Sequence, residues 1–395
     1  MLDVKRVSRR LAAIPGSATM AIANRARELR AEGSEVISFA AGEPDFSTPE
    51  HIVAAAARAA HDPANHKYTA IQGLPSLRQA IAGYTNTYSG VEVDFSEVVV
   101  TNGAKQAVFQ SFAALLDPGD EVLLPAPYWV TYPAGIELAG GVPVAVDTTS
   151  DTGFKVTVED LEAARTDRTQ ALVFVSPSNP TGSVYSTSEA REIGTWAAEN
   201  DVWVITDEIY QRLYYDGDVA PSIVAATPRF ENWIMINGVA KSFAMTGWRV
   251  GWMIGPEDVM AAAARLQSHA TSNVSNVSQQ AALAALTGTQ ETVEVMRDAF
   301  AARRNLMYSL VSGIPGFRCV EPEGAFYVFP DVTEVLGGRY ATSADLAEAI
   351  IDDAGVALVP GESFGAPGYL RLSYAVGEPE IRRGVEAIAN VIEDS

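Results

Sequence analysis

Cysteine is nearly absent from this 395-residue chain: Cys319 stands alone. That excludes an intrachain disulfide framework and any multi-cysteine zinc or iron–sulfur centre. The four histidines, His51, His61, His66 and His269, form no HExxH pattern. A metal site would have to be built mainly from carboxylates, and none is expected. Positive charge is in deficit, 28 Lys+Arg against 49 Asp+Glu for a formal net charge of -21, which opposes binding to nucleic acid or an anionic membrane. No stretch approaches the roughly 20 apolar residues of a membrane span. The basic segment MLDVKRVSRRLAAIPGS lacks the continuous apolar core of a signal peptide, so a soluble cytoplasmic protein is expected. Internal repeats, low-complexity tracts, GxxxxGK[ST] and a strand-GxGxxG-helix unit are missing as well.

What is present is an apolar chain, 48% hydrophobic, long enough for about two domains at roughly 150 residues each. Seven β-rich runs recur: EVVVT (97–101), DEVLLP (120–125), VPVAV (142–146), ALVFVS (171–176), VWVITDE (202–208), WIMIN (233–237) and VGWMIG (250–255). Between them, 104–116, 128–139, 187–199 and 257–269 carry helical spacing, with Thr187 and Glu189 marking one helix start. Such alternation predicts an α/β sheet covered by helices on both faces. A long helix over 291–312 leads into a Gly/Pro-punctuated region with GFRCVEP, GAFYVFP, VALVP and LRLSYA, read as a smaller α+β domain. The expected division is a large domain, 48–290, and a small domain made of 1–47 with 291–395.

Lysine is scarce too: Lys5, Lys67, Lys105, Lys155 and Lys241, against 23 arginines (28 minus 5). Lys241 follows the apolar run WIMIN, and a lysine at a strand end offers primary-amine chemistry that arginine cannot. Alone it reads as a surface charge. Asp207 closes the run VWVITD with Tyr210 three residues on, and Asn179 follows ALVFV in Ser176-Pro177-Ser178-Asn179-Pro180-Thr181-Gly182. Three strands thus deliver Asn179, Asp207 and Lys241 at their C-terminal ends, where open α/β sheets bind ligands, and Arg249 adds a fixed cation. By contrast, Gly361-Glu362-Ser363-Phe364-Gly365 fits a hydrolase GxSxG elbow only in letters, since Ala366-Pro367-Gly368 follows and no histidine lies beyond His269.

With these residues in place, the chain resembles the class I pyridoxal-phosphate (PLP) aminotransferases of fold type I, most closely their bacterial aspartate/prephenate branch. The resemblance runs from Gly16-Ser17-Ala18-Thr19 and AGEPDF (41–46) through KYTAIQG (67–73), NGAKQ (102–106), PYWVTYP (127–133), SPSNPTG (176–182), DEIY (207–210) and AKSFAMTGWRVG (240–251) to LRLSYA (370–375). It implies a mostly parallel seven-stranded sheet with a smaller α+β domain, and a ping-pong transamination through aldimine and ketimine stages. Lys241 then matches the lysine that condenses with the PLP aldehyde and shuttles a proton. Asp207 matches the carboxylate on the pyridine nitrogen, and Tyr210 and Asn179 the donors to the phenolic oxygen. Gly103, Ala104 and Lys105, opening a helix, would meet the phosphate together with Arg249. Trp129 would stack on the ring. Tyr68 matches a tyrosine supplied by the neighbouring subunit, which implies a homodimer with shared active sites.

For substrate, Arg371 matches the arginine that grips the α-carboxylate, and Gly42 a position where the backbone closes on it. From Leu266 to Met296 there is no Lys or Arg, so the distal-carboxylate arginine of another aspartate branch has no counterpart. In the branch resembled here that role falls to Lys105, with Ser17 and Thr19. Prephenate activity in this branch goes with a lysine where this chain has Pro15, which favours aspartate with 2-oxoglutarate. Asn237-Gly238-Val239-Ala240 also departs from the Ser-x-Ser that many relatives carry before the lysine. Aromatic or prephenate transamination remains an alternative, as does a β-lyase, decarboxylase or oxidase on the same scaffold. A PLP-fold regulator without turnover is disfavoured by the joint presence of Lys241, Asp207, Tyr210 and Arg371.

Overall fold

The structure, a computed structural model, describes residues 7, 8, 11, 12, 14, 16 and 18–393. Twelve strands are present among them: β1 (Ile37–Ser38), β2 (Val98–Thr101), β3 (Glu121–Ala126), β4 (Val142–Asp147), β5 (Thr169–Val175), β6 (Trp203–Asp207), β7 (Trp233–Gly238), β8 (Gly251–Ile254), β9 (Tyr327–Val328), β10 (Val356–Ala357), β11 (Val359–Pro360) and β12 (Leu370–Ser373). Strands β2 to β8 form one sheet in the order β2-β8-β7-β6-β5-β3-β4. Only β8 runs against its neighbours, pairing antiparallel with both β2 and β7. All seven runs read from the sequence are strands of this sheet.

Side-chain alternation explains why the runs read as uniformly apolar. Val98, Val100, Leu123, Leu172, Phe174, Val204, Met235, Trp252 and Ile254 share one buried cluster with Ile52, Leu77, Ile81, Ile193 and Ala281 of the helices on that face. Val99, Val122, Leu124, Val173, Ile205, Ile234, Ile236 and Met253 join the opposite cluster with Val108, Phe112, Ile136 and Met260. The strands inside the sheet therefore bury both their faces under helices, while β4, at the sheet edge, stays largely exposed with Val146 its one buried residue. The helix expected over 187–199 is Thr187–Glu199, but its cap is one residue earlier. Ser186 accepts from the Glu189 backbone N–H at 3.2 Å, while the Glu189 carboxylate takes the Ser186 N–H at 2.7 Å. The helix expected from 128 begins only at Thr131 and ends at Ala139, so Trp129 lies in the turn ahead of it.

After the helix Glu291–Val311, a second apolar cluster gathers Phe300, Met307, Leu346, Ile350, Leu370, Leu372, Ile381 and Ile388. Its strands form a three-stranded antiparallel sheet, β11-β12-β9, and β1 pairs in parallel with β10. Phe39 and Tyr327 belong to this cluster, and so do Tyr210 and Leu213 from the loop after β6. Among the described residues no helix is long and apolar enough to cross a membrane, and no three His, Cys, Asp or Glu side chains are grouped as a metal would need. The GxSxG letters are a 3-10 turn, Gly361–Phe364, in which Glu362 accepts from Ser343 Oγ at 2.7 Å.

Candidate active site

Because β2 and β7 both lie antiparallel to β8, their C-terminal ends share one edge of the sheet with those of β3 to β6. Asn179, Asp207 and Lys241 leave that edge from β5, β6 and β7. Lys241 is partly buried in a loop closed by β7 and β8, and its Nζ donates to the Gly42 carbonyl. Burial pushes its amine down to about 8; Glu43 opposes that shift while Arg371 and Arg249 add to it. About a tenth of the amine is therefore uncharged at pH 7, some hundreds of times more than for an ordinary lysine, and that form is the nucleophile and proton acceptor. The segment that brings Gly42 in is fastened to the same loop: Thr48 Oγ1 donates to the Ala244 carbonyl at 2.7 Å, and Thr246 Oγ1 to Glu43 Oε2 at 2.8 Å.

Asp207, 3% exposed, ends β6. Burial raises its carboxyl to about 6, against hydrogen bonds from the Tyr132 hydroxyl at 2.9 Å and the Ile209 N–H at 3.1 Å and the charge of Lys241. A carboxylate held this way is costly in isolation and suits a site where a cationic group arrives to meet it. Tyr132 belongs to the motif PYWVTYP, where no local pattern marks it as a partner of Asp207. Its ring also meets Trp129 edge-on at 5.4 Å.

At the end of β2 the chain turns through Gly103, with φ +80° and ψ 162°, into the helix Ala104–Leu115. The start of that helix lies beside an arginine: a Cβ on Gly103 would lie 2.5 Å from Arg249 Nη2. Arg249 sits just before β8 with its backbone in the left-handed region, φ +57°, and donates to the Thr246 carbonyl at 3.1 Å and the Asn102 carbonyl at 3.2 Å. Lys105 is beside it, its Nζ 4.9 Å from the centre of the Trp129 ring. Burial lowers the Lys105 amine, and Arg249 lowers it further. Two cations and a helix N-terminus around a glycine form a cup for an anion.

Arg371, on β12 and fully enclosed, donates to Asn179 Oδ1 at 3.0 Å and the Ala40 carbonyl at 2.8 Å. Its buried Nε has no hydrogen-bond partner. Tyr210 joins this group through a residue the sequence analysis passed over: its hydroxyl lies 2.8 Å from that of Tyr327 on β9. Lys241, Asp207, Tyr210, Asn179, Arg371, Gly42, Gly103, Ala104, Lys105, Arg249 and Trp129 thus belong to one region. Tyr68 does not point into this chain; its side chain is 87% exposed. Ser17 and Pro15 lie outside the described residues, and of Thr19 only its place in the helix Ala18–Ala31 is described.

Known proteins resemble the chain over nearly its whole length. The family model for aminotransferase class I and II matches residues 34–388. The aspartate aminotransferase of Streptomyces avermitilis is 54% identical over 99% of this chain and 97% of its own length. The aspartate/prephenate aminotransferase of Cereibacter sphaeroides is 41% identical, with 96% of each chain covered. A solved structure of aspartate aminotransferase from Thermus thermophilus with maleate superposes with a TM-score of 0.92 at 42% identity, covering 98% of this chain and 100% of that one. Matched by that family model over residues 34–388 and 54% identical to one of its relatives over nearly the full length, the chain belongs to the class I and II aminotransferases.

Proposed function

We propose that this aminotransferase uses pyridoxal 5'-phosphate to move the amino group of L-aspartate to 2-oxoglutarate in two half-reactions of a ping-pong cycle. The cofactor fits the residues present. The cup of Gly103, Ala104, Lys105 and Arg249 suits its phosphate, the buried Asp207 its ring nitrogen, Tyr210 and Asn179 its phenolic oxygen, and Trp129 its ring face. When bound, that group supplies an electron-accepting ring for the electron pair released at the substrate Cα. The observation that carries the reading is the convergence of Lys241, Asp207 and Arg371 around Gly42 and Asn179.

Each residue then has a definite task. Arg371, pre-set by Asn179 and the Ala40 carbonyl, binds the α-carboxylate with charge-assisted hydrogen bonds. Lys241, its basicity lowered by burial, takes the Cα proton and returns one on the other side of the transfer. Asp207, oriented by Tyr132 and the Ile209 N–H, holds a proton at the ring nitrogen. Gly42 leaves room for the backbone to close over the substrate. Lys105, already desolvated beside Trp129, pairs with the distal carboxylate, with Ser17 and Thr19 assigned to assist. The maleate in the Thermus thermophilus structure is a dicarboxylate, which supports this choice over a neutral or aromatic substrate.

The exposed Tyr68 supports a homodimer in which Tyr68 of a second copy completes the phosphate cup. The composition suits a cytoplasmic enzyme. The two groups of apolar clusters support a large domain over 48–290 and a small one from 1–47 with 291–395, with the β1–β10 pairing tying the two parts of the small domain together. The test is a panel of amino donors with 2-oxoglutarate, followed by borohydride reduction and peptide mapping. Aspartate should lead the panel and the reduced cofactor should map to Lys241. Preference for a neutral or aromatic donor overturns the substrate, and a Lys241→Ala chain that still fixes the cofactor on reduction overturns the assignment of the amine.

A further inference from the structure

Tyr327 is fully buried on β9, and nothing so far requires its hydroxyl. The ring lies 4.5 Å beneath the Arg371 guanidinium, and its oxygen would be 3.3 Å from a Cβ on Gly42. Its hydrogen bond with Tyr210 is 2.8 Å, and among the described residues neither hydroxyl has another partner. The pair holds two protons, and the bond between them uses one. Whichever tyrosine accepts keeps its own proton free for the site. Arg371 acts on both hydroxyls but faces the Tyr327 ring at 4.5 Å, whereas Tyr210 has Lys241 at 5.8 Å from its ring and, unlike Tyr327, also feels the Asp207 carboxylate. The closer cation makes Tyr327 the better donor, and the carboxylate makes Tyr210 the poorer one.

We propose that Tyr327 is a positioning residue: its hydroxyl donates to Tyr210 Oη, which directs the Tyr210 proton at the phenolic oxygen of the cofactor. The inference rests on the cofactor reading above. A hydroxyl that accepts one hydrogen bond donates its own more strongly, so Tyr327 strengthens the contact Tyr210 makes. A donor at the phenolic oxygen favours the form with negative charge there and no proton on the adjoining nitrogen. Weakening it moves the protonation midpoint of the resting chromophore upward.

The measurement is the visible absorbance of the substrate-free holoenzyme against pH, in wild type, Tyr327→Phe, Tyr210→Phe and the double variant. Phenylalanine keeps the ring packed against Arg371 and Phe326. Tyr327→Phe should raise the midpoint by roughly 0.3–1 pH unit, and Tyr210→Phe by more. In the Tyr210→Phe background, adding Tyr327→Phe should move nothing further, because the group it acts through is gone. An unmoved midpoint in Tyr327→Phe, or the same shift in both backgrounds, overturns the inference while the cofactor reading stands. A wild-type chain that forms no visible band with PLP overturns both.

Discussion

Adding one methyl group at Gly103 tests the anion cup without touching a charge. In Gly103→Ala the new Cβ would sit 2.5 Å from Arg249 Nη2 and 2.8 Å from Cζ, and φ +80° with ψ 162° is a conformation that L-residues rarely adopt. The backbone strain costs about 1–3 kcal/mol, which for a chain of this size lowers the unfolding midpoint by roughly 1–4 °C. The guanidinium is the end of a flexible side chain, so it yields and swings off the Thr246 and Asn102 carbonyls that aim it. A phosphate in the cup then loses a charged hydrogen bond worth about 1.5–3 kcal/mol, an increase of about 10–150-fold in Kd. Titration of the cofactor-free protein with PLP, followed by absorbance, reads that number directly. Repeating it in an Arg249→Ala background is decisive. There the substitution should change affinity by less than about twofold, since the two effects share one group. Wild-type affinity in Gly103→Ala, or an equal loss in both backgrounds, refutes the cup as described.

Lys105→Ala should raise the barrier for aspartate and glutamate by roughly 2–4 kcal/mol, the scale for leaving a desolvated charge unpaired, and affect neutral amino acids far less; an equal loss in kcat/KM for both classes would leave Lys105 only its place in the cofactor cup and refute its pairing with the distal carboxylate. With its amine lowered to about 8, Lys241 of the cofactor-free chain should undergo reductive methylation with a midpoint near that pH, the uncharged form gaining as pH rises through it. A midpoint near the ordinary lysine value, measured by mass spectrometry of the Lys241 peptide, contradicts its burial. Mixing wild-type chains with Tyr68→Phe/Lys241→Ala chains should give hybrids whose remaining amine faces a cup without the Tyr68 hydroxyl, and so a reduced PLP affinity at that site. Sedimentation of the active enzyme as a monomer refutes sharing.

Most of the strands were legible because they are buried on both faces, so apolar residues run without interruption between turn signals, as in Ala171–Val175; β4, exposed at the edge, kept only its valines as a signal. Their order was not. VGWMIG looks like its neighbours, and only the short connection from Gly238 to Gly251, which holds a single 3-10 turn and no α-helix, hints that β8 reverses. Several helices drew no notice. Asn276–Thr287 is alanine-rich and shows little contrast between faces, but in Glu50–His61 the buried Ile52, Ala56 and Ala59 share one face, and Ile381, Val385, Ile388 and Ile392 recur at helical spacing, signals that were there to be used. The same limit applies to the site. Motifs named the residues that end strands, whereas Tyr132 and Tyr327 matter through partners 75 and 117 residues away, which no local pattern encodes.

The reversal of β8 also bears on the order in which the site can assemble. Lys241 and Arg249 lie on one loop between adjacent antiparallel strands, so the amine and the guanidinium come into place through a hairpin, a short-range event that closes quickly. The other half of the cup waits for Thr101 to pair with Gly251, which closes a loop of about 150 residues. Contacts of that span form late in folding. Gly103 and Ala104 therefore meet Arg249 only when the first strand of the sheet finds its edge, and a phosphate binding there clamps the most distant pairing in the sheet. Cofactor capture becomes a report that the last strand is home, and a chain stalled before that step keeps its lysine but has no cup in which to hold the ligand.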